Sequence, residues 1–196
     1  MIHNFYDWDD TIVLSRPAIY SSYSHALKEI CGIILPWGKF NEKLYANANA
    51  FMAQLGFTEK TMREVKRLKN EVYLNKHWEE IVVLKTEKDF NPAEQHYIVS
   101  NTTTDVISNL LDKFNMSVIF SEIIGSDIYL GVNRKPAPDL YNYAFSKIKS
   151  NFNTDEDWII IHEDSIFGLQ SALAFYEENK SQIKNFKINY IPQNFN

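Results

Sequence analysis

Residues 2–11 read Ile-His-Asn-Phe-Tyr-Asp-Trp-Asp-Asp-Thr, a short strand pattern that runs straight into Asp7, Asp9 and Asp10. Acids directly after a strand ordinarily mark a turn. Their meaning here depends on the rest of the chain. From Pro92 onward, strand patterns at 97–100, 118–124, 158–162 and 187–191 alternate with helical ones at 103–114, 137–149 and 166–178. That alternation predicts parallel βαβ units with helices on both faces of a sheet. Residues 16–90 differ, with helical periodicity at 18–30, 39–55, 59–73 and 77–84. Turn signals at Gly32, Pro36-Trp37-Gly38 and Gly56 separate these segments, and Thr58 is placed to cap the third. The run Ile81-Val82-Val83-Leu84 also has the length of a strand. The simplest architecture is α/β: a doubly wound, mainly parallel, Rossmann-like sheet with an inserted α-helical cap. The core then comprises residues 1–15 and 92–196, and the cap residues 16–91.

Composition narrows the partners. The 196 residues carry 25 acids and 20 Lys or Arg, a formal net charge of −5. Broad nucleic-acid or anionic-membrane binding needs a basic surface, so neither partner is expected. No stretch approaches the roughly 20 apolar residues of a membrane span. The first residues lack the basic start and apolar run of a signal peptide, so a soluble, cytoplasmic protein is expected. The single cysteine, Cys31, has no internal disulfide partner.

In a doubly wound sheet, ligands bind outside the carboxyl ends of the strands. Polar residues gather at three such exits: Asp7-Trp8-Asp9-Asp10-Thr11, Ser100-Asn101-Thr102 and Glu163-Asp164-Ser165. Lys135, in Lys135-Pro136-Ala137-Pro138, leads into a helix nearby. Carboxylates converging on one sheet edge repel one another, and a hard divalent cation such as Mg²⁺ relieves that repulsion through oxygen ligands. Carboxylates, a cation and a lysine together describe a phosphoryl-transfer site.

These four segments, in this order, resemble the motifs of the haloacid-dehalogenase superfamily. The Asp-x-Asp-x-Thr motif corresponds to Asp7–Thr11, the strand-end Ser to Ser100, the Lys of Lys-Pro-x-Pro to Lys135, and the acidic pair followed by Ser to Glu163-Asp164-Ser165, with Gly168 beyond. The pattern is most similar to the phosphoglycolate phosphatase and β-phosphoglucomutase-like branch, whose small helical cap lies between motifs one and two. The resemblance implies a Mg²⁺-dependent phosphatase acting on a small phosphorylated metabolite. Asp7 would be the nucleophile and Asp9 the general acid and base. Asp10, Thr11, Ser100, Asn101 and Lys135 would surround the phosphate. Asp7, the Asp9 carbonyl, Glu163 and Asp164 would hold Mg²⁺, with Arg16 a substrate contact at the entry to the cap. A phosphomutase of the same branch and a catalytically weak, phosphate-responsive binding protein are the alternatives. Asp10 stands where this family most often has Gly, and His162 is read as a packing residue.

Overall fold

The computed structural model describes residues 1–45 and 47–192. Five strands form one sheet: β1 (Ile2–Tyr6), β4 (Gln95–Val99), β5 (Glu122–Ile124), β6 (Trp158–Glu163) and β7 (Asn185–Tyr190). Two short strands, β2 (Val13–Leu14) and β3 (Val82–Val83), make a separate ladder. The large sheet has the order β5-β4-β1-β6-β7, and every pairing in it is parallel. From β1 the chain builds outward to β4 and β5, then crosses back to β6 and β7 on the other side. The direction of winding therefore reverses at β1, which makes its carboxyl end the crevice where such sheets bind ligands.

Helices α5 (Thr104–Lys113), α6 (Asp139–Ile148) and α7 (Ile166–Asn179) form the three crossovers within this unit. Side chains alternate along each strand, so odd residues of β1 share one face. On that face Phe5, Val99 and Ile161 join Leu140, Tyr141, Ala144, Ala172 and Phe175 in one apolar core. Aromatic pairs line it: Phe5 meets Tyr97 edge-on at 5.4 Å between ring centroids, and Phe175 meets Tyr141 in a tilted pair at 5.9 Å.

The opposite face of β1, β6 and β7 carries a row of polar contacts. Asn4 donates to Glu94 at 2.7 Å, its Oδ1 meets His162 Nε2 at 3.1 Å, and His162 Nδ1 faces Asn189 Nδ2 at 3.4 Å. His162 also stacks on Tyr6 with centroids 4.1 Å apart. Burial, helped by Lys85, His96 and Lys187, lowers its pKa to about 3. It is a neutral packing group.

The chain divides into two compact units, Met1–Leu14 with Val83–Asn196 and Ser15–Val82. The second is helical, with α1 (Arg16–Cys31), α2 (Trp37–Lys39), α3 (Ala48–Gln54) and α4 (Glu59–Val72). α2 continues into a π-helical turn at Phe40–Leu44. Leu27, Phe40, Leu44, Met52 and Val65 fill its core. Thr58 caps α4, its Oγ1 accepting from the Thr61 N–H at 3.2 Å.

Three expected elements differ. The helix expected over 39–55 is interrupted: the π-helical turn ends at Leu44 and α3 begins at Ala48, where the Asn47 side chain caps it by accepting from the Ala50 N–H at 3.0 Å. The helix expected over 77–84 is a 3₁₀ turn at Trp78–Glu80 followed by β3. The β-branched pair Val82-Val83 prefers a pleated strand, and the helical unit closes there rather than at residue 91. The strand expected over 118–124 shortens to Glu122–Ile124, because Val118 is exposed and cannot stabilise a buried strand. Phe175 is wholly buried among Tyr141, Phe145 and Phe186. Phe175→Ala is therefore expected to cost about 3–5 kcal/mol in urea-unfolding stability.

Candidate active site

β1 ends at Tyr6, but its ladder gains one more bond, since the Asp7 N–H donates to the His162 carbonyl at 2.9 Å. Asp7 is thereby fixed at the carboxyl edge. Beyond it the chain turns tightly around the Trp8 carbonyl, which accepts from the N–H groups of Thr11, Ile12 and Val13 at 3.4, 3.0 and 3.2 Å. Asp10 takes a φ of 60° within this turn. That left-handed conformation favours glycine and tolerates aspartate. Asp10 and Thr11, the expected phosphate contacts, belong to this turn. Both residues are buried, and their N–H groups bond within the turn, to Val13 and Trp8. They shape the loop.

Ser100 continues β4, with its N–H on the Ile124 carbonyl at 2.9 Å. Its Oγ accepts from the Thr102 N–H at 3.1 Å, which leaves the hydroxyl proton to donate. Asn101 faces another task. Its side chain accepts from the Lys135 N–H at 2.8 Å and donates to the Lys135 carbonyl at 3.2 Å. It therefore clamps the segment that carries the lysine.

Lys135 is the centre of the arrangement. Its buried Nζ donates to Asp7 Oδ1 at 2.8 Å, to the Val99 carbonyl at 2.6 Å and to Glu163 Oε1 at 2.5 Å. The desolvation that would lower its pKa is outweighed by Asp7 and Glu163, and the net shift is upward. Tyr141 on α6 donates to the same Glu163 oxygen at 2.5 Å. Asp9 accepts from Thr102 Oγ1 at 2.6 Å, close enough to Asp7 and Asp164 for its charge to act on both. Arg16 opens α1 in the helical unit, where it donates to Asn41 at 2.9 Å and sits 4.2 Å from the Tyr45 ring centroid.

Asp7, Glu163 and Asp164 each offer a carboxylate oxygen, and these lie within 4.8 Å of one another. Burial raises Asp7 well above the usual carboxylate range despite Lys135, with Glu163, Asp164 and Asp9 adding to the shift. Burial, then Asp10, Glu163 and Asp9, pushes Asp164 up to about 7. Among the described residues, the buried Glu163 Oε2 has no hydrogen-bond partner. Clustered acids, one lysine and an unsatisfied buried oxygen form a donor set that suits a hard divalent cation.

Sequence reasoning missed Tyr141, and it read Gly168 only as the glycine beyond the acidic pair. A Cβ on Gly168 would lie 1.8 Å from Glu163 Oε2, so only glycine leaves room for that carboxylate beside α7. Nothing in the spacing of Tyr141 marks it, because it acts through Glu163.

A family model described as haloacid dehalogenase-like hydrolase matches residues 5–176. The chain belongs to that family. No curated protein matches it significantly in sequence. Among solved structures, this hydrolase is similar to CbbY from Rhodobacter sphaeroides in complex with phosphate, with a TM-score of 0.76 and 16% identity over 98% of this chain and 86% of that one. A putative phosphoglycolate phosphatase from Lactobacillus plantarum gives 0.74 and 16%, over 95% and 84%. A predicted phosphatase from Clostridium acetobutylicum gives 0.65 and 20%, over 95% and 93%. At these identities the likeness establishes the shared fold. No described helix is long and apolar enough to cross a membrane.

The acidic cluster generates two expected outcomes. Gly168→Ala must displace the Glu163 carboxylate, and isothermal titration is expected to show Mg²⁺ binding weakened about 10-fold or more. Asp164 takes up a proton near pH 7 in the folded state but near 3.8 when unfolded. Its contribution to ion-free stability therefore falls as pH rises from about 4 to 7. Calorimetry in EDTA should show that decline, and Mg²⁺ should raise Tm more at pH 8 than at pH 5.

Proposed function

We propose that this hydrolase is a Mg²⁺-dependent phosphatase acting on a small phosphorylated metabolite in the cytoplasm. One observation carries the reading: Asp7, at the switch point of the sheet, is bonded to a buried lysine and lies within 4.8 Å of two further carboxylates. Asp7 would attack phosphorus, forming an aspartyl phosphate as the ester P–O bond breaks. Asp9 would give its proton to the leaving oxygen. It would then take a proton from water as that water attacks phosphorus, releasing phosphate and restoring Asp7.

Lys135 would offset the charge on Asp7, and the Ser100 hydroxyl would donate to a phosphoryl oxygen. Asp7, Glu163 and Asp164, with the Asp9 carbonyl, would hold Mg²⁺, which when bound supplies charge neutralisation at the phosphoryl group. The helical unit Ser15–Val82 is read as the cap of this family. The similar CbbY structures hold phosphate in one case and xylulose-(1,5)bisphosphate in a variant, which supports a phosphorylated small molecule as substrate.

Phosphate release from a panel of phosphomonoesters should require Mg²⁺ and vanish in EDTA. Asp7→Asn is expected to lower kcat about 1000-fold or more. Asp9→Asn is expected to cost about 100-fold or more while Mg²⁺ binding persists. Turnover at the wild-type rate in either purified variant would overturn the assignment. Free phosphate released without a bisphosphate primer separates this reading from a mutase.

A further inference from the structure

An ammonium group has three protons. Those of Lys135 are all engaged, on Asp7 Oδ1, the Val99 carbonyl and Glu163 Oε1. Its charge is thus divided between the proposed nucleophile and a second carboxylate. The Tyr141 hydroxyl donates to that same Glu163 Oε1 at 2.5 Å, and its ring centroid lies 5.0 Å from Nζ. Two donors that share one acceptor each hold it less tightly than either would alone.

Tyr141 is wholly buried and well fixed. Its ring centroid stands 6.4 Å from that of Phe5 and 5.9 Å from that of Phe175. Burial and the neighbouring Glu163 raise its pKa well above the usual phenol value, so the hydroxyl stays a donor.

We propose that Tyr141 is a positioning residue, whose hydroxyl shares Glu163 Oε1 with Lys135 and so keeps the lysine directed at Asp7. Without that hydroxyl, Glu163 draws the ammonium toward itself and Asp7 is less well neutralised as it meets a phosphate. The catalytic consequence rests on the phosphatase reading, whereas the effect on Lys135 does not.

Tyr141→Phe keeps the ring and its packing and removes only the hydroxyl. Two measurements test it. In ¹H–¹⁵N spectra of the lysine ammonium groups, assigned for Lys135 with Lys135→Met, the Lys135 signal should shift in Tyr141→Phe while the other lysines and Tm hold. In steady-state kinetics on the best phosphomonoester, kcat should fall about 10-fold with KM within twofold. An unshifted Lys135 signal overturns the proposal, as does a shifted signal with wild-type kcat. A loss of kcat that tracks a lowered Tm also overturns it, since that is a packing effect. If the wild-type protein releases no phosphate and the signal still shifts, the phosphatase reading fails while the effect of Tyr141 on Lys135 stands.

Discussion

The buried ammonium of Lys135 holds the carboxyl edge of the sheet together. Asp7 comes from β1, Val99 from β4 and Glu163 from β6, and one nitrogen bonds all three. Those strands are neighbours in the order β4-β1-β6, so the lysine ties the three central strands at the place where the winding reverses. Removing one partner of a buried pair leaves the other charge uncompensated, a loss of roughly 3–5 kcal/mol. The two bonds from Asn101 to the Lys135 main chain keep the lysine from being pulled out of register.

The sheet and its polar exits were legible because they obey periodic rules. Strand alternation after Pro92 gave the parallel order its elements, and the acids at Asp7 and Glu163-Asp164 marked the carboxyl ends. What escaped was set by tertiary approach. Tyr141 reads as an ordinary aromatic on an amphipathic helix, and Gly168 was legible as the glycine beyond the acidic pair but not as the space that the Glu163 carboxylate needs. Tyr141 matters because it borders Glu163, 22 residues away in sequence, and Gly168 because a Cβ there would meet the same carboxylate. Asn101 was legible as a polar residue of the site but not as a clamp, since its partner lies 34 residues on. The end of the helical unit at Val82 was obscured because an apolar β-branched run suits a strand or a buried helix equally.

Asp10 shows how a departure from the family pattern can be conformational. Its φ of 60° is the reason for glycine at such a position, and aspartate is among the few other residues that tolerate it. Its side chain is buried, however, and it is one of the groups that push Asp164 upward. The same residue that permits the turn thus adds negative potential beside the cluster. His162 relieves none of this. With its pKa lowered to about 3 it stays uncharged, stacked on Tyr6 and bonded to Asn4.

These charges bear on the order in which the site fills. Asp7, Asp9, Glu163 and Asp164 stand at one edge with Lys135 as the cation bonded among them, and its three protons already have acceptors. At an effective dielectric of about 20, two like charges roughly 4 Å apart repel by about 4 kcal/mol. On the proposed reading, a phosphate dianion entering that edge alone would meet such repulsion from each carboxylate that is ionised, and Lys135 has no further proton to offer it. On the same reading, a divalent cation held by Asp7, Glu163 and Asp164 would remove the repulsion and satisfy the buried Glu163 Oε2 together. Binding of the cation before the phosphate is therefore the order that this charge distribution favours.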